Sequence, residues 1–212
     1  MKKNNIIIFL FFVFVSNFTF LDLHSKMVNN IIAKVGNSLI TSIDLQNEMI
    51  TNLVINKREL SEENINSSKD YSIKNLLTKV IKKNEVDAYQ IKNFNKQDLR
   101  KYIENVAKSL NTDENGLKEI FKKNNISYSK FIERYEIELM WNTLIFQKYK
   151  DQININILEI NNEIEKVKEN KSDEELKKIK EEITNRKKQE QLNLFSRSHY
   201  SNLENSVYVN FK

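Results

Sequence analysis

The apolar positions of this chain change period as it runs. From Val28 to Thr41 they read as β structure: Ile31, Ile32 and Val35 precede Gly36-Asn37, and Leu39 and Ile40 follow. Glycine as the first central residue of a two-residue turn suits the II′ type, where a positive φ would push a Cβ into the backbone. The stretch predicts a hairpin. Thr41 or Ser42 can then cap a helix, with Asp44 in its positive first turn and Leu45, Met49, Ile50 and Leu53 as its apolar stripe.

Further on the period is helical. Residues 57–70 are polar and aperiodic and read as a loop, after which Ile73, Leu76, Leu77, Val80, Ile81, Ala88 and Ile91 fall at spacings that share one helix face. Asn95 caps a helix with Leu99, Ile103, Val106, Ala107 and Leu110 inward, and Thr112 caps a short one carrying Leu117, Ile120 and Phe121. Ser127 opens the most apolar helix. Tyr128, Phe131, Ile132, Tyr135, Leu139, Phe146 and Tyr149 form one stripe; Ile137, Met140, Trp141 and Leu144 form a second. A helix apolar on two sides is a central one.

Residues 155–167 read as a short extended piece and a helix. Ser172 and Glu175 make a capping box for a long charged helix with Leu176, Ile179, Ile183, Leu192, Phe195 and Leu203 as a sparse stripe. In 207–211, Val207, Val209 and Phe211 alternate with Tyr208 and Asn210, a strand in need of a partner. The expected fold class is mainly α, with a small antiparallel sheet.

Composition narrows the chemistry. The 212 residues contain no Cys, no Pro and only two Gly. Thiolate metal sites, disulfides and Cys nucleophiles are excluded, and Asn must serve helix ends that Gly usually fills. The net charge of +5 is spread over mixed Lys and Glu faces, which reads as a solvated helical surface and not a nucleic-acid footprint. Of the two His, His24 lies near the N-terminus and His199 alone on the charged helix. No phosphate loop, metal spacing or convergent acid–base set is present, so neither catalysis nor a cofactor is expected.

Lys2 and Lys3 followed by the apolar run Ile6–Val15 have the layout of an export signal. The reading is a signal peptide over 1–25, with an uncleaved anchor as the alternative and Ser25 as the cleavage point. No Cys follows the run, which excludes a bacterial lipoprotein. The remainder, 26–212, is expected to form a single core.

Two stretches carry a family likeness. "MVNNIIAKVGNSLITSIDLQNEM" resembles the start of mature SurA-type periplasmic chaperones, with Ile40, Thr41, Asp44 and Leu45 matching an I-T-x-x-D-L step into a helix. "LLTKVIKKNEVDAYQIKNFNKQDL" and "NVAKSLNTDENGLKEIFKKNNISYSKFIERYEIELMWNTL" are similar to the helices that follow. The resemblance spans about 28–170 and resumes at the helix and strand of 172–212. Family members typically carry parvulin prolyl-isomerase domains between these blocks. Residues 168–174 join them directly here, so the isomerase expectation is dropped; a protein with degenerate isomerase activity is an alternative, as is a membrane-anchored helical interaction module.

The resemblance implies that the terminal strand pairs with the N-terminal hairpin. It also implies an ATP-independent periplasmic holdase for unfolded outer-membrane proteins or aromatic-rich peptides, with the outer-membrane assembly machinery as a further partner. The aromatic stripes admit two readings, packed core or exposed apolar groove. On the second, the groove is expected to be lined by Met49, Leu53, Phe131, Tyr135, Met140 and Trp141.

Overall fold

The computed structural model describes residues 29–169 and 171–211. The signal-peptide reading of 1–25 lies outside the described residues. Two strands, β1 (Ile31–Val35) and β2 (Ser38–Thr41), lead into α1 (Ser42–Ile55) and α2 (Glu62–Ala88). There follow α3 (Lys96–Ser109), α4 (Glu114–Lys123), α5 (Tyr128–Tyr149), a 3-10 turn at 150–152, α6 (Ile157–Glu165), α7 (Asp173–Ser206) and β3 (Val209–Phe211). The fold is mainly α with one three-stranded antiparallel sheet of order β2-β1-β3.

The hairpin forms as its turn residues dictate. Gly36 takes φ +58°, and Asn37 is not among the residues of positive φ, as a II′ turn requires. Thr41 is the cap of α1, in a capping box with Asp44: the Thr41 hydroxyl accepts from Asp44 N, and Asp44 Oδ2 accepts from Thr41 N at 3.0 Å. β3 pairs with β1, Val35 opposite Val209 and Ala33 opposite Phe211. The terminal strand thus lies beside the N-terminal hairpin.

Two readings need correction. The stretch 57–70 is a loop only to Ser61, which caps α2 by accepting from Asn64 N. The first turns of α2 turn Ser68 and Ser72, not apolar side chains, against their neighbours, and both are buried. A helix whose buried face is polar leaves no hydrophobic period to detect. The cap of α4 is Asp113, whose carboxylate accepts from Gly116 N at 2.8 Å, not Thr112. Thr112 instead explains Gly116: a Cβ there would stand 1.7 Å from Thr112 Oγ1.

Four helices end in the same way. Lys57, Gln90, Asn111 and Asn125 follow α1, α2, α3 and α4 with φ between 53° and 57°. In each case the next residue's N–H reaches back five positions, as Ile91 N to Val86 O and Ile126 N to Phe121 O show. These are Schellman caps built without glycine.

Packing falls into three apolar clusters. The first lies under the sheet, where Ala33, Val35, Ile40, Leu45, Leu76 and Ile81 meet Tyr200, Leu203 and Val209. The second joins α3, α4 and the start of α5 through Ile103, Ala107, Leu117, Phe121 and Phe131. The third joins α2, α5 and α7 through Val86, Trp141, Leu144, Ile145 and Phe195. Helix α5 enters both of the last two, through Tyr128, Phe131 and Ile132 at its start and Met140, Trp141, Leu144, Ile145 and Tyr149 further on.

Candidate functional site

The residues expected to line an open groove are divided among these clusters. Leu53, Phe131 and Trp141 are buried, at 1%, 3% and 1% exposure. Met49 packs under the sheet, Phe131 lies in the α3–α4–α5 cluster, and Met140 and Trp141 lie in the α2–α5–α7 cluster. Leu53, Phe131 and Trp141 are thus core, and the half-buried Met49 and Met140 pack against separate clusters, so these five side chains do not line one open groove. Trp141 also spends its polar edge inside, with Nε1 donating to Ser196 Oγ at 2.8 Å.

Tyr135 is different. It is only partly buried and stacks on Tyr102 of α3, with ring centroids 3.7 Å apart and planes 7° from parallel. Beyond this stack a shallow groove runs between the start of α3 and the second half of α5, lined by Asn95, Asp98, Leu139, Asn142, Thr143 and Phe146. Each is placed by local rules. Asn95 caps α3, accepting from Gln97 N at 3.0 Å, and Asp98 occupies its first turn. Leu139, Asn142, Thr143 and Phe146 fall on one face of α5 by three- and four-residue spacing. Phe146 is 51% exposed.

Of the residues lining this groove Asp98 alone is charged. Burial pushes the phenol pKa of Tyr135 up, and the nearby Asp98 and Glu138 carboxylates push it further. Burial does the same at Tyr102, with Arg134 opposing. Both rings remain neutral phenols at any ordinary pH. An aromatic pair, an exposed Phe, and amide and hydroxyl side chains can hold an extended chain by ring contact and backbone hydrogen bonds.

A second cluster is built on Glu48. This buried carboxylate accepts through Oε1 from Arg134 Nη1 at 2.7 Å, and from Asn52 Nδ2 and Asn75 Nδ2, each at 3.1 Å. Asp44–Lys130, Lys79–Glu133 and Lys82–Glu138 continue the row of ion pairs where α5 crosses α1 and α2. The cavity beside Glu48 is about 20 Å³, room for one water and not for a substrate. The cluster is a brace between helices.

The sequence treats His199 as a solitary residue on a charged helix; the fold gives it two partners. It is buried, with Nε2 at 2.8 Å from Glu85 Oε1 and Nδ1 at 3.0 Å from the Tyr149 hydroxyl. Since a carboxylate only accepts, a neutral imidazole must donate from Nε2 and accept from Tyr149 at Nδ1. The signal was available: position 199 continues the stripe Leu192, Phe195, Leu203 at helical spacing.

Among the described residues no group of His, Cys, Asp and Glu could hold a metal ion, and no helix is long and apolar enough to cross a membrane. Neither a scan against protein-family profiles nor a search of curated proteins returned a match.

Proposed function

We propose that this protein is an ATP-independent periplasmic holdase of the SurA type, exported by its N-terminal segment, that binds unfolded outer-membrane proteins and performs no catalysis. The observation that carries the reading is the α3–α5 groove, an aromatic and amide-lined surface beside the Tyr102–Tyr135 stack that no other described element covers. The proposed contact residues are Tyr135, Leu139, Asn142 and Phe146. Unfolded β-barrel chains present alternating aromatic and aliphatic side chains, and a shallow groove holds such segments weakly and reversibly. Affinity is modest because an unfolded client loses chain entropy on ordering.

The test is light scattering by an unfolded outer-membrane β-barrel on dilution from denaturant. The protein should suppress it at stoichiometric ratios, and Phe146→Ser should weaken the effect without changing helix content. Absence of suppression over a range of salt concentrations sinks the reading.

A second reading, a helical interaction module, draws on α6. Ile157 and Leu158 are 65% and 72% exposed there. Pull-down by Ile157→Ser/Leu158→Ser protein distinguishes the two, since loss of partners with aggregation suppression intact favours the module.

A further inference from the structure

The sheet has two edges, and they are unequal. In an antiparallel pair, successive residues turn their N–H and C=O alternately toward and away from the neighbouring strand. Gly36 N donates to Tyr208 O at 3.5 Å, and Lys34 stands opposite Asn210. This register points the polar groups of Tyr208 and Asn210 at β1. Val209 and Phe211 therefore turn theirs to the open edge. On the other side of the sheet, β2 presents only Leu39 by the same alternation, because Ala33–Ile40 and Val35–Ser38 face each other and Thr41 N is engaged by Asp44.

Among the described residues the β3 edge also lacks the usual protection. Strands left at an edge are blunted by charge, proline, a bulge or a covering element. The stretch 205–211, Asn-Ser-Val-Tyr-Val-Asn-Phe, has no charged residue and no proline. Phe211 stands opposite Ala33, and Ala33 and Val35 are fully buried, so Phe211 lies on the core face of the sheet; yet it is 58% exposed. Among the described residues none covers it, and an aromatic side chain left open on a core face is suited to a neighbour across the edge.

We propose that this neighbour is β3 of a second copy, paired antiparallel about a two-fold axis at Val209. In that register the two Val209 residues exchange both backbone bonds, and Phe211 N–H reaches the Val207 carbonyl of the other copy. Val207 N–H is already given to Leu203 O, so each of these outer pairs makes one backbone bond and not two. The side chains match as well. Phe211 meets Val207 and Val209 meets Val209 on the core face, while Tyr208 meets Asn210 on the other. No like charges oppose each other, and cross-strand apolar pairs of this kind stabilise a ladder. An isologous contact of this form closes at two copies.

The absence of cysteine makes the test clean. Val209→Cys in the full chain should give an oxidised or bis-maleimide-linked dimer several-fold above Leu194→Cys, a control at a 63% exposed position on α7. Adding Phe211→Lys should reduce the cross-link to the control level with helix content and melting unchanged. Should Phe211→Lys unfold the chain, Asn210→Lys at an exposed outer-face position serves instead. Cross-linking no stronger than the control, cross-linking insensitive to the edge lysine, or cross-linking of Val209→Cys mainly to other proteins would each overturn the proposal.

Discussion

Arg134 Nη1 lies 2.7 Å from Glu48 Oε1, joining the middle of α5 to a carboxylate only 6% exposed inside α1. Two amides, from Asn52 and Asn75, complete its shell. The pair is a condition of the packing more than a source of net stability, since desolvation offsets much of the attraction. Removing the cation alone leaves a buried charge. Arg134→Met should cost about 2–3 kcal/mol in urea unfolding, and Arg134→Met with Glu48→Gln should recover most of it. Equal losses in the single and double variants would show that the pair is not coupled.

The left-handed helix ends carry strain that glycine relieves. An L-residue at positive φ costs about 1–2 kcal/mol, of which the extra freedom of glycine in the unfolded chain offsets part. Lys57→Gly and Gln90→Gly should each raise stability by about 0.5–1 kcal/mol. Asn111→Gly and Asn125→Gly should gain less, because asparagine tolerates the region. Thermal melts of the four variants rank them directly.

Gly116 should behave in the opposite way. Alanine is ordinarily favoured over glycine inside a helix by about 1 kcal/mol. Here the new methyl meets Thr112 Oγ1, so Gly116→Ala should lower the melting temperature. In a Thr112→Ala background the same change should be neutral or stabilising, and a double-mutant cycle measures the difference.

Asp44 sets an acid limit. Burial raises its pKa, but hydrogen bonds from Lys130 and from the Thr41 side chain and backbone outweigh this, and the net position is below the ordinary value. A carboxylate depressed by folding contributes stability that is present above the unfolded pKa of about 4 and is lost as pH falls through the folded one. Stability should therefore drop below about pH 4, and Asp44→Asn, weaker at neutral pH, should show a shallower slope there. Parallel slopes for the two proteins would exclude Asp44 as a contributor.

The fold was legible where apolar side chains set the period. The hairpin and the caps at Asn95, Ser127 and Ser172 follow from local chemistry that the sequence carries openly, whereas the pairing of β3 with β1 was an expectation from the family resemblance alone. The start of α2 was hidden because Ser68 and Ser72 occupy its buried face. The groove was misplaced for a related reason. A stripe shows that Phe131 and Trp141 turn inward, but it does not show that Tyr135 and Phe146, on the same helix, stay in contact with solvent. Stripe membership is local; coverage depends on which elements far apart in sequence pack over a position. The partners of His199, 50 and 114 residues away, are equally non-local.

The place of β1 between β2 and β3 has a consequence for synthesis. β2 follows β1 at once, but the other flank of β1 is filled only by residues 209–211. The helix before that strand also supplies Tyr200 and Leu203 to the cluster beneath the sheet. A chain emerging from its amino end can form its hairpin and early helices, yet it leaves the middle strand half-paired until residues 209–211 have been made. Closure of the sheet is a late, long-range event, slow by the entropy of the loop it must close. During that delay the flank of β1 that β3 will cover offers its unpaired backbone groups to any other extended chain.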